Sequence, residues 1–250
     1  MQKQQPAKDY IFGIRAIIEN IIAGQEFDKI LIQKGLKNNL IRELIQTART
    51  HSIPFVQVPV EKLNRITRKN HQGAIAFMAV VQYASLDNVI NECYQEGREP
   101  FLLILDRITD VRNFGAIART AECAGIDAII IPSRGSAAIN ADAMKTSAGA
   151  LGHIAVCRSD DLKSTFRFLQ DSGIRAIGCT EKTNNSIYDL DLTGPIALVM
   201  GSEEDGISPE YLKLCEAKGR IPMSGNIGSL NVSVSAGIIT YEAVRQRISN

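Results

Sequence analysis

The strongest constraint on the fold is a regular alternation of short apolar segments with helical segments through residues 101–250. Short apolar runs bounded by polar loops are typical of buried strands, and helices between them favour a parallel sheet covered on both faces. The sequence therefore predicts an α/β domain over this range. Its predicted strands are Phe101–Leu105, Asp127–Ile131, Ile154–Cys157, Ile174–Cys179, Ile196–Met200 and Arg220–Ile221.

The residues before this domain predict a smaller α/β domain over 1–81 and a linker over 82–100 with a helix at Leu86–Gln95. Isoleucines at helical spacing indicate a helix at 11–23, and Gly24 is suited to end it. The other predicted elements are strands at 29–33, 53–58 and 74–81, a helix from Asn39 and a short helix at 59–66.

Charge is unevenly distributed between the two predicted domains. Residues 1–80 carry 12 Lys and Arg against 6 Asp and Glu, a net charge of +6, whereas the rest of the chain carries 16 against 21, a net charge of −5. A basic domain joined to an acidic one fits an RNA-binding module attached to a catalytic module. Two solvated surfaces of unequal charge explain the same counts, so charge alone leaves both interpretations open.

The sequence lacks the marks of several classes of protein. No apolar run approaches the roughly 18 residues that span a bilayer, and the start has no apolar signal-peptide core, so we expect a cytoplasmic protein without a membrane partner. Five scattered cysteines and three distant histidines have no disulfide or zinc spacing, so no metal is expected. No two glycines lie two residues apart, which excludes the G-x-G-x-x-G fingerprint of Rossmann enzymes.

Three polar segments follow or flank predicted strands: 106–121, 201–206 and 221–237. Open α/β sheets bind ligands outside the carboxyl ends of their strands, which is where these segments are expected. Taken singly, each has an ordinary structural explanation as a turn or as the start of a helix capped by Asn or Ser. In the last segment, Ser229 or Asn231 is placed to cap a helix that runs through Ile248.

Taken together, the three segments resemble a known family. They read N-F-G-A-I-A-R-T-A, L-V-M-G-S-E-E-D-G-I-S and I-P-M-S-G-N-I-G-S-L-N-V-S-V-S-A-G. In order and spacing they are similar to motifs 1, 2 and 3 of the SpoU-type RNA ribose 2′-O-methyltransferases of the SPOUT superfamily. The resemblance covers residues 101–247.

The first domain resembles the ribosomal-protein-like substrate domain of one subgroup of that family, through Y-I-F-G-I-R-A and H-Q-G. The subgroup includes an enzyme that methylates a guanosine of 23S ribosomal RNA, so the resemblance implies ribosomal RNA as partner. Two residues depart from the family pattern. Val111 stands where the family usually has Pro, and Arg15 stands where it often has His.

For the fold, the resemblance implies a trefoil-knotted, mostly parallel α/β methyltransferase domain after a small α/β domain. It also implies a homodimer with the active site at the subunit interface. Four apolar positions of the last helix are candidates for the dimer contact, although ordinary core packing explains them equally well. They are Val234, Ile238, Tyr241 and Val244.

For the chemistry, the resemblance implies S-adenosylmethionine as methyl donor and no metal. Arg119 is implied as the catalytic residue near the 2′-hydroxyl. The family proposal that this arginine is a general base would require a pKa lowered by several units, so a cation that stabilises the developing alkoxide is the simpler role. The remaining implied catalytic residues are Asn113, Glu203, Ser229 and Asn231, and the implied cofactor contacts are Gly201, Ile221 and Leu230.

Three alternatives stay open at this stage. The substrate of the same chemistry is a transfer RNA in other members of the family. The fold without activity would be an RNA-binding ribosome-assembly factor, which would not need all five implied catalytic residues. A third alternative is an α/β enzyme that uses another nucleotide.

Overall fold

The computed structural model describes residues 10–249, and the chain divides into two compact units with the boundary between Gln82 and Tyr83. Within the described residues, the first unit contains a sheet of four strands in the order β1-β4-β2-β3. Strands β1–β4–β2 pair antiparallel, and β2–β3 pair parallel. The strands are β1 (Tyr10–Phe12), β2 (Phe27–Gln33), β3 (Phe55–Val58) and β4 (Ala74–Met78), and the helices are α1 (Ile14–Ile22), α2 (Asn39–Thr50) and α3 (Val60–Ile66).

Alternate residues of β2 are buried on opposite faces of this small sheet. Ile30 and Ile32 pack with α1 and α2, whereas Leu31 packs on the other face with Leu63 of α3. This two-residue alternation is what a pleated strand imposes on its side chains. Helix α2 begins where predicted, because the side chain of Asn38 accepts a hydrogen bond from the amide of Ile41 at 2.8 Å.

The predicted helix over 11–23 is wrong at its start. Residues 10–12 form the edge strand β1, and Gly13 separates it from α1 with a φ of 95°. A left-handed backbone at that point suits glycine and turns the chain from strand to helix. Three residues are too few to give a strand signal of their own, so pairing with β4 determines their conformation.

The second unit contains, among the described residues, a sheet of seven strands in the order β11-β9-β10-β6-β7-β8-β5. Every pairing is parallel, which confirms the predicted parallel sheet. The strands are β5 (Tyr83–Ala84), β6 (Phe101–Leu105), β7 (Ala128–Pro132), β8 (Ala155–Ser159), β9 (Arg175–Cys179), β10 (Ile196–Met200) and β11 (Ala217–Gly219). The helices are α4 (Leu86–Gln95), α5 (Val111–Cys123), α6 (Ala141–Thr146), α7 (Leu162–Asp171), α8 (Pro209–Leu212) and α9 (Val232–Ile248).

Helices cover both faces of this sheet. On one face, Leu102 and Val199 pack with Phe166 of α7 and Ile90 of α4. On the other face α9 packs against α5 and β10. Every residue of the central strands β6 and β10 is buried, as expected of a sheet with two covered faces. No helix within residues 10–249 is long and apolar enough to cross a membrane.

The stretch expected to be a linker, 82–100, lies within the second unit from Tyr83 onward. Strand β5 pairs in parallel with β8, and α4 contacts β7 and β8. Ile90 and Cys93 of α4 are buried, which ties this helix to the sheet. The last strand also differs from prediction. It lies at Ala217–Gly219, not at 220–221, and pairs with β9.

All five cysteines are free thiols, and burial separates them into two classes. Cys93, Cys157 and Cys215 are buried and Cys179 is half-buried, whereas Cys123 on α5 is exposed. Burial raises the pKa of Cys93 to about 11, and of Cys157, Cys179 and Cys215 to about 12. The reactive thiolate is therefore scarce at these four positions at neutral pH.

We expect at most one of the five thiols, that of Cys123, to react rapidly with a chromogenic disulfide reagent at pH 8. The other four should react when the protein is unfolded in denaturant, because unfolding restores their ordinary pKa and their access to solvent. A time course of reagent absorbance with and without denaturant gives the number of thiols that react in the unfolded and in the folded protein. Rapid reaction of two or more thiols in the folded protein would contradict this description of the core.

Candidate functional site

A cavity of about 770 Å³ lies at the carboxyl ends of β9, β10 and β11. Its lining comes from four segments of the chain: 179–181, 200–206, 220–223 and 228–235. The volume is in the range of small-molecule sites, and the position at strand ends is where open α/β sheets bind ligands. Six of the eight predicted site residues line it: Gly201, Glu203, Ile221, Ser229, Leu230 and Asn231.

The loop 201–206 forms one wall of the cavity and folds back on itself. The amide of Ser202 donates to the carbonyl of Gly206 at 3.2 Å, and the amide of Gly206 donates back at 3.0 Å. A Cβ added to Gly201 would lie 1.9 Å from the carbonyl carbon of Gly206, so no other residue fits there without moving the loop. Gly201 thus allows the close backbone approach that brings Glu203 to the cavity.

Three predicted residues from distant parts of the sequence form one hydrogen-bonded chain. The Nδ2 of Asn113 donates to Oε1 of Glu203 at 2.6 Å, and its Oδ1 accepts from Nδ2 of Asn231 at 3.0 Å. The Oδ1 of Asn231 in turn accepts from the amide and hydroxyl of Ser233, at 2.9 and 2.6 Å. Asn113 therefore joins the loop after β10 to the start of α9.

Helix caps hold the two asparagines. The Oδ1 of Asp110 accepts from the amides of Arg112 and Asn113, both at 2.8 Å, and Asn231 is the N-cap of α9. The Asp110 cap starts α5 at Val111, two residues before Asn113. Val111 occupies the first helical position, which favours Pro, and the helix begins there with Val as well.

The structure does not bring Arg119 to this cavity. Six residues place it about 240° around the helix and about 9 Å along it from Asn113, so the two side chains leave α5 on different sides. Arg119 is exposed, and its side chain makes no hydrogen bond or ion pair with any residue from 10 to 249. Within one chain, Arg119 therefore does not lie with the other implied catalytic residues at the cavity.

Two charged residues at the cavity were not predicted. Glu181 follows β9, and Arg220 follows β11. Glu181 lies two residues after the predicted strand Ile174–Cys179, which was the available signal, whereas Arg220 fell inside a predicted strand. With Glu203 and Glu204, the lining carries three carboxylates and one guanidinium, an excess of negative charge that favours a cationic ligand.

No group of three or more His, Cys, Asp or Glu side chains within residues 10–249 is arranged to hold a metal ion. The side chains that line the cavity supply amide, carboxylate and hydroxyl groups and the guanidinium of Arg220. Such a site can bind, orient and accept hydrogen bonds.

Two family models match the chain. The SpoU rRNA methylase family matches residues 100–241, and the family described as RNA 2′-O ribose methyltransferase substrate binding matches residues 10–84. Together they cover both units of the structure.

Relatives of similar length support the same assignment. The chain is 37% identical over 238 residues to a TrmH family tRNA/rRNA methyltransferase of Staphylococcus saprophyticus, covering 95% of each chain. It is 33% identical over 239 residues to the TrmH family tRNA/rRNA methyltransferase YacO of Bacillus subtilis, covering 96% of each chain.

Among solved structures, the SpoU methyltransferase AviRb of Streptomyces viridochromogenes, in complex with AdoMet, is 26% identical to the chain. The alignment covers 96% of this chain and 91% of AviRb with a TM-score of 0.62. The match over more than half of the chain, the full-length relatives and the shared architecture have one explanation: the chain belongs to the SpoU family of RNA methyltransferases.

Proposed function

We propose that the chain methylates the ribose 2′-hydroxyl of a guanosine in 23S ribosomal RNA, with S-adenosylmethionine as methyl donor. The family membership makes it an RNA methyltransferase. The observation that carries the site assignment is the hydrogen-bonded chain of Glu203, Asn113 and Asn231 at the edge of the cavity. These side chains come from all three SpoU motifs.

The cavity residues fit S-adenosylmethionine. This molecule carries a sulfonium and an ammonium group, and the lining has an excess of carboxylates. Gly201, Ile221 and Leu230 line this cavity, which supports their proposed contacts with the cofactor, and AviRb was solved with AdoMet bound. S-adenosylmethionine supplies an electrophilic methyl group, so the protein has to align it with the hydroxyl and assist loss of the hydroxyl proton.

Alignment and proton loss would be assisted by side chains from two subunits: Arg119 of one, and the hydrogen-bonded Glu203, Asn113 and Asn231 of the other. We propose that Arg119 of each chain acts at the cavity of the other chain in a homodimer, where its charge stabilises the developing alkoxide and a phosphate. Its exposure and its absence from the lining of its own chain's cavity support this arrangement. Asn113 and Glu203 would position the ribose, with Ser229 and Asn231 completing the site.

The last helix offers a surface for the homodimer. Val234 and Tyr241 of α9 are each 49% exposed, and Ile238 and Val244 beside them are half-buried. Val234 and Tyr241 are seven positions apart, about two helical turns, so they lie on one side of the helix. Because α9 packs against α5, a partner on this surface would lie close to Arg119.

The uneven charge of the two domains supports a separate role for each. Residues 1–81, with their positive net charge, would bind RNA, and residues 101–250 would carry out methyl transfer, with the protein in the cytoplasm. The trefoil knot stays a prediction. Return of the chain from the edge strand β11 to pack α9 on α5 and β10 supports it.

A transfer RNA substrate is the second candidate, favoured by relatives described as tRNA/rRNA methyltransferases.

Substitution of Arg119 tests the proposal. Arg119→Ala should lower methyl transfer by about 100-fold or more, and Arg119→Lys should fail as well, because an ammonium cannot make the paired hydrogen bonds of a guanidinium. Cofactor binding and circular dichroism should be unchanged. A radiolabelled methyl-transfer assay on ribosomal RNA fragments measures the loss. Activity retained by the folded alanine variant would exclude Arg119 from the mechanism and favour an ordinary surface arginine.

Subunit mixing tests whether Arg119 acts on the other chain. Chains with Arg119→Ala and chains with Glu203→Ala should each be inactive, and random pairing should restore about a quarter of the wild-type activity, since half of the dimers have one intact site. No recovery in mixed dimers verified by mass would place Arg119 in its own chain's site.

Gly201→Ala tests the cavity. The added Cβ would displace the 201–206 loop, so we expect affinity for S-adenosylmethionine to fall about tenfold or more. Gly152→Ala is the control, because a Cβ there meets nothing within 4 Å. Calorimetry with a chelator present measures both variants. Wild-type binding that disappears on chelation, or equal binding by both variants, would contradict the metal-free site at this loop.

Three exposed cations of the first unit test its role in binding RNA. Replacing Arg65, Arg68 and Lys69 together with Gln should weaken RNA binding and lower the slope of log K against log salt concentration by about two to three, because fewer counterions are released. Filter binding over a range of salt concentrations gives the slope, and cofactor affinity should be unchanged.

The matched control replaces three exposed cations of the second unit, Lys163, Arg167 and Lys213, with Gln. The net charge changes equally, but the salt slope should stay close to that of the wild type. If both triple variants lose the same slope, RNA binding depends on overall charge and not on the first unit.

A further inference from the structure

Asp106 and Arg107 connect the end of β6 to the loop that follows β10. Asp106 is 1% exposed, and its amide donates to the carbonyl of Met200 at 2.8 Å. Its Oδ2 accepts from the amide of Ser208 at 2.7 Å, and its Oδ1 accepts from Nε of Arg107 at 3.2 Å. A buried carboxylate with partners on both oxygens fixes the direction in which Arg107 leaves the strand.

Arg107 adopts a left-handed backbone, with a φ of 59°. Residues other than glycine avoid this conformation, and it persists where surrounding contacts hold it. The guanidinium supplies those contacts. Its Nη1 donates to Oδ2 of Asp205 and its Nη2 to the carbonyl of Gly206, both at 3.2 Å. One side chain thus reaches three acceptors, two of which belong to the 201–206 loop.

The loop has an inner and an outer side. Its inner side lines the cavity through Gly201 and Glu203. Its outer side is held by Arg107 and by Lys182, whose Nζ donates to the carbonyl of Asp205 at 2.7 Å. The contacts of Arg107 therefore bear on the position of a cavity wall without Arg107 itself lining that cavity.

We propose that Arg107 is a positioning residue for the methyl donor. It holds the 201–206 loop in the conformation that forms the cofactor wall and presents Glu203 to Asn113. The proposal rests on the proposed function, because it takes S-adenosylmethionine as the occupant of the cavity.

An ordinary stabilising role for Arg107 makes a different prediction, and glycine separates the two. Glycine adopts a φ near 59° without strain, so Arg107→Gly removes the guanidinium and the backbone strain together. A structural role predicts a lower Tm and cofactor affinity that changes only as the protein unfolds. A positioning role predicts a Tm close to that of the wild type and weaker cofactor binding by the fully folded protein.

The measurement is the Kd for S-adenosylmethionine by calorimetry, at a temperature well below the Tm of every variant. We expect Arg107→Gly to raise the Kd about tenfold, equivalent to about 1.4 kcal/mol. Arg107→Lys should resemble Arg107→Gly, because one ammonium cannot reach all three acceptors. In the transfer assay, the KM for S-adenosylmethionine should rise by the same factor, whereas the KM for RNA should not.

Ser52→Gly is the matched control. Ser52 has a φ of 52° and lies in the first unit, so glycine relieves the same kind of strain there without removing a contact of the loop. Its Kd for S-adenosylmethionine should equal that of the wild type. A Kd for Arg107→Gly within twofold of the wild type would overturn the positioning role, as would weakening seen only with loss of folded protein. Absence of binding by the wild type would instead overturn the proposed function and, with it, this proposal.

Discussion

The parallel pairing of β6 with β10 determines the architecture of the candidate site. Ile196 to Met200 pair in register with Phe101 to Leu105, although about 90 residues separate them in the chain. Both strands are completely buried, so the pairing is enforced by the apolar core on each side of the sheet. Since parallel strands end at the same edge, the chain leaves both strands at one place, and motifs 1 and 2 meet there.

The hydrogen-bonded chain of Glu203, Asn113 and Asn231 at that edge depends on this strand pairing. It also depends on two helix caps, Asp110 on α5 and Asn231 on α9. Asn113 uses its amide oxygen toward Asn231 and its amide nitrogen toward Glu203, so both ends of one side chain are engaged. An aspartate would lack the donor that Glu203 requires, and an apolar residue would lack both functions. The arrangement shows how three segments with ordinary individual explanations as turns and caps come together at one cavity.

The sequence was most informative where burial and periodicity agree. The bounds of β6, β10, α4 and the start of α2 follow from apolar runs and caps, and the structure has them at the predicted residues. Strands β1 and β5 were missed because two or three residues at a sheet edge carry no pattern of their own and depend on pairing partners elsewhere in the chain.

The site was predictable as a set of segments but not as a geometry. Helical spacing alone could not locate Arg119 relative to the cavity, since this depends on how α5 packs against α9. Arg107 gave no sequence signal, because its left-handed backbone and its contacts with the second motif arise only when the two strands pair. The location of Arg119 and the conformation of Arg107 therefore depend on contacts between residues that are distant in the sequence, and local sequence patterns do not reveal such contacts.

The proposed reaction is methylation of the ribose of a guanosine in 23S ribosomal RNA. Its most direct test is a map of ribose 2′-O-methylation across ribosomal and transfer RNA from cells with the gene, cells without it, and cells complemented with it. We predict that one 23S guanosine loses its methyl group without the gene and regains it on complementation. Unchanged ribosomal RNA, with or without loss of a methyl group from a transfer RNA, would contradict the claim.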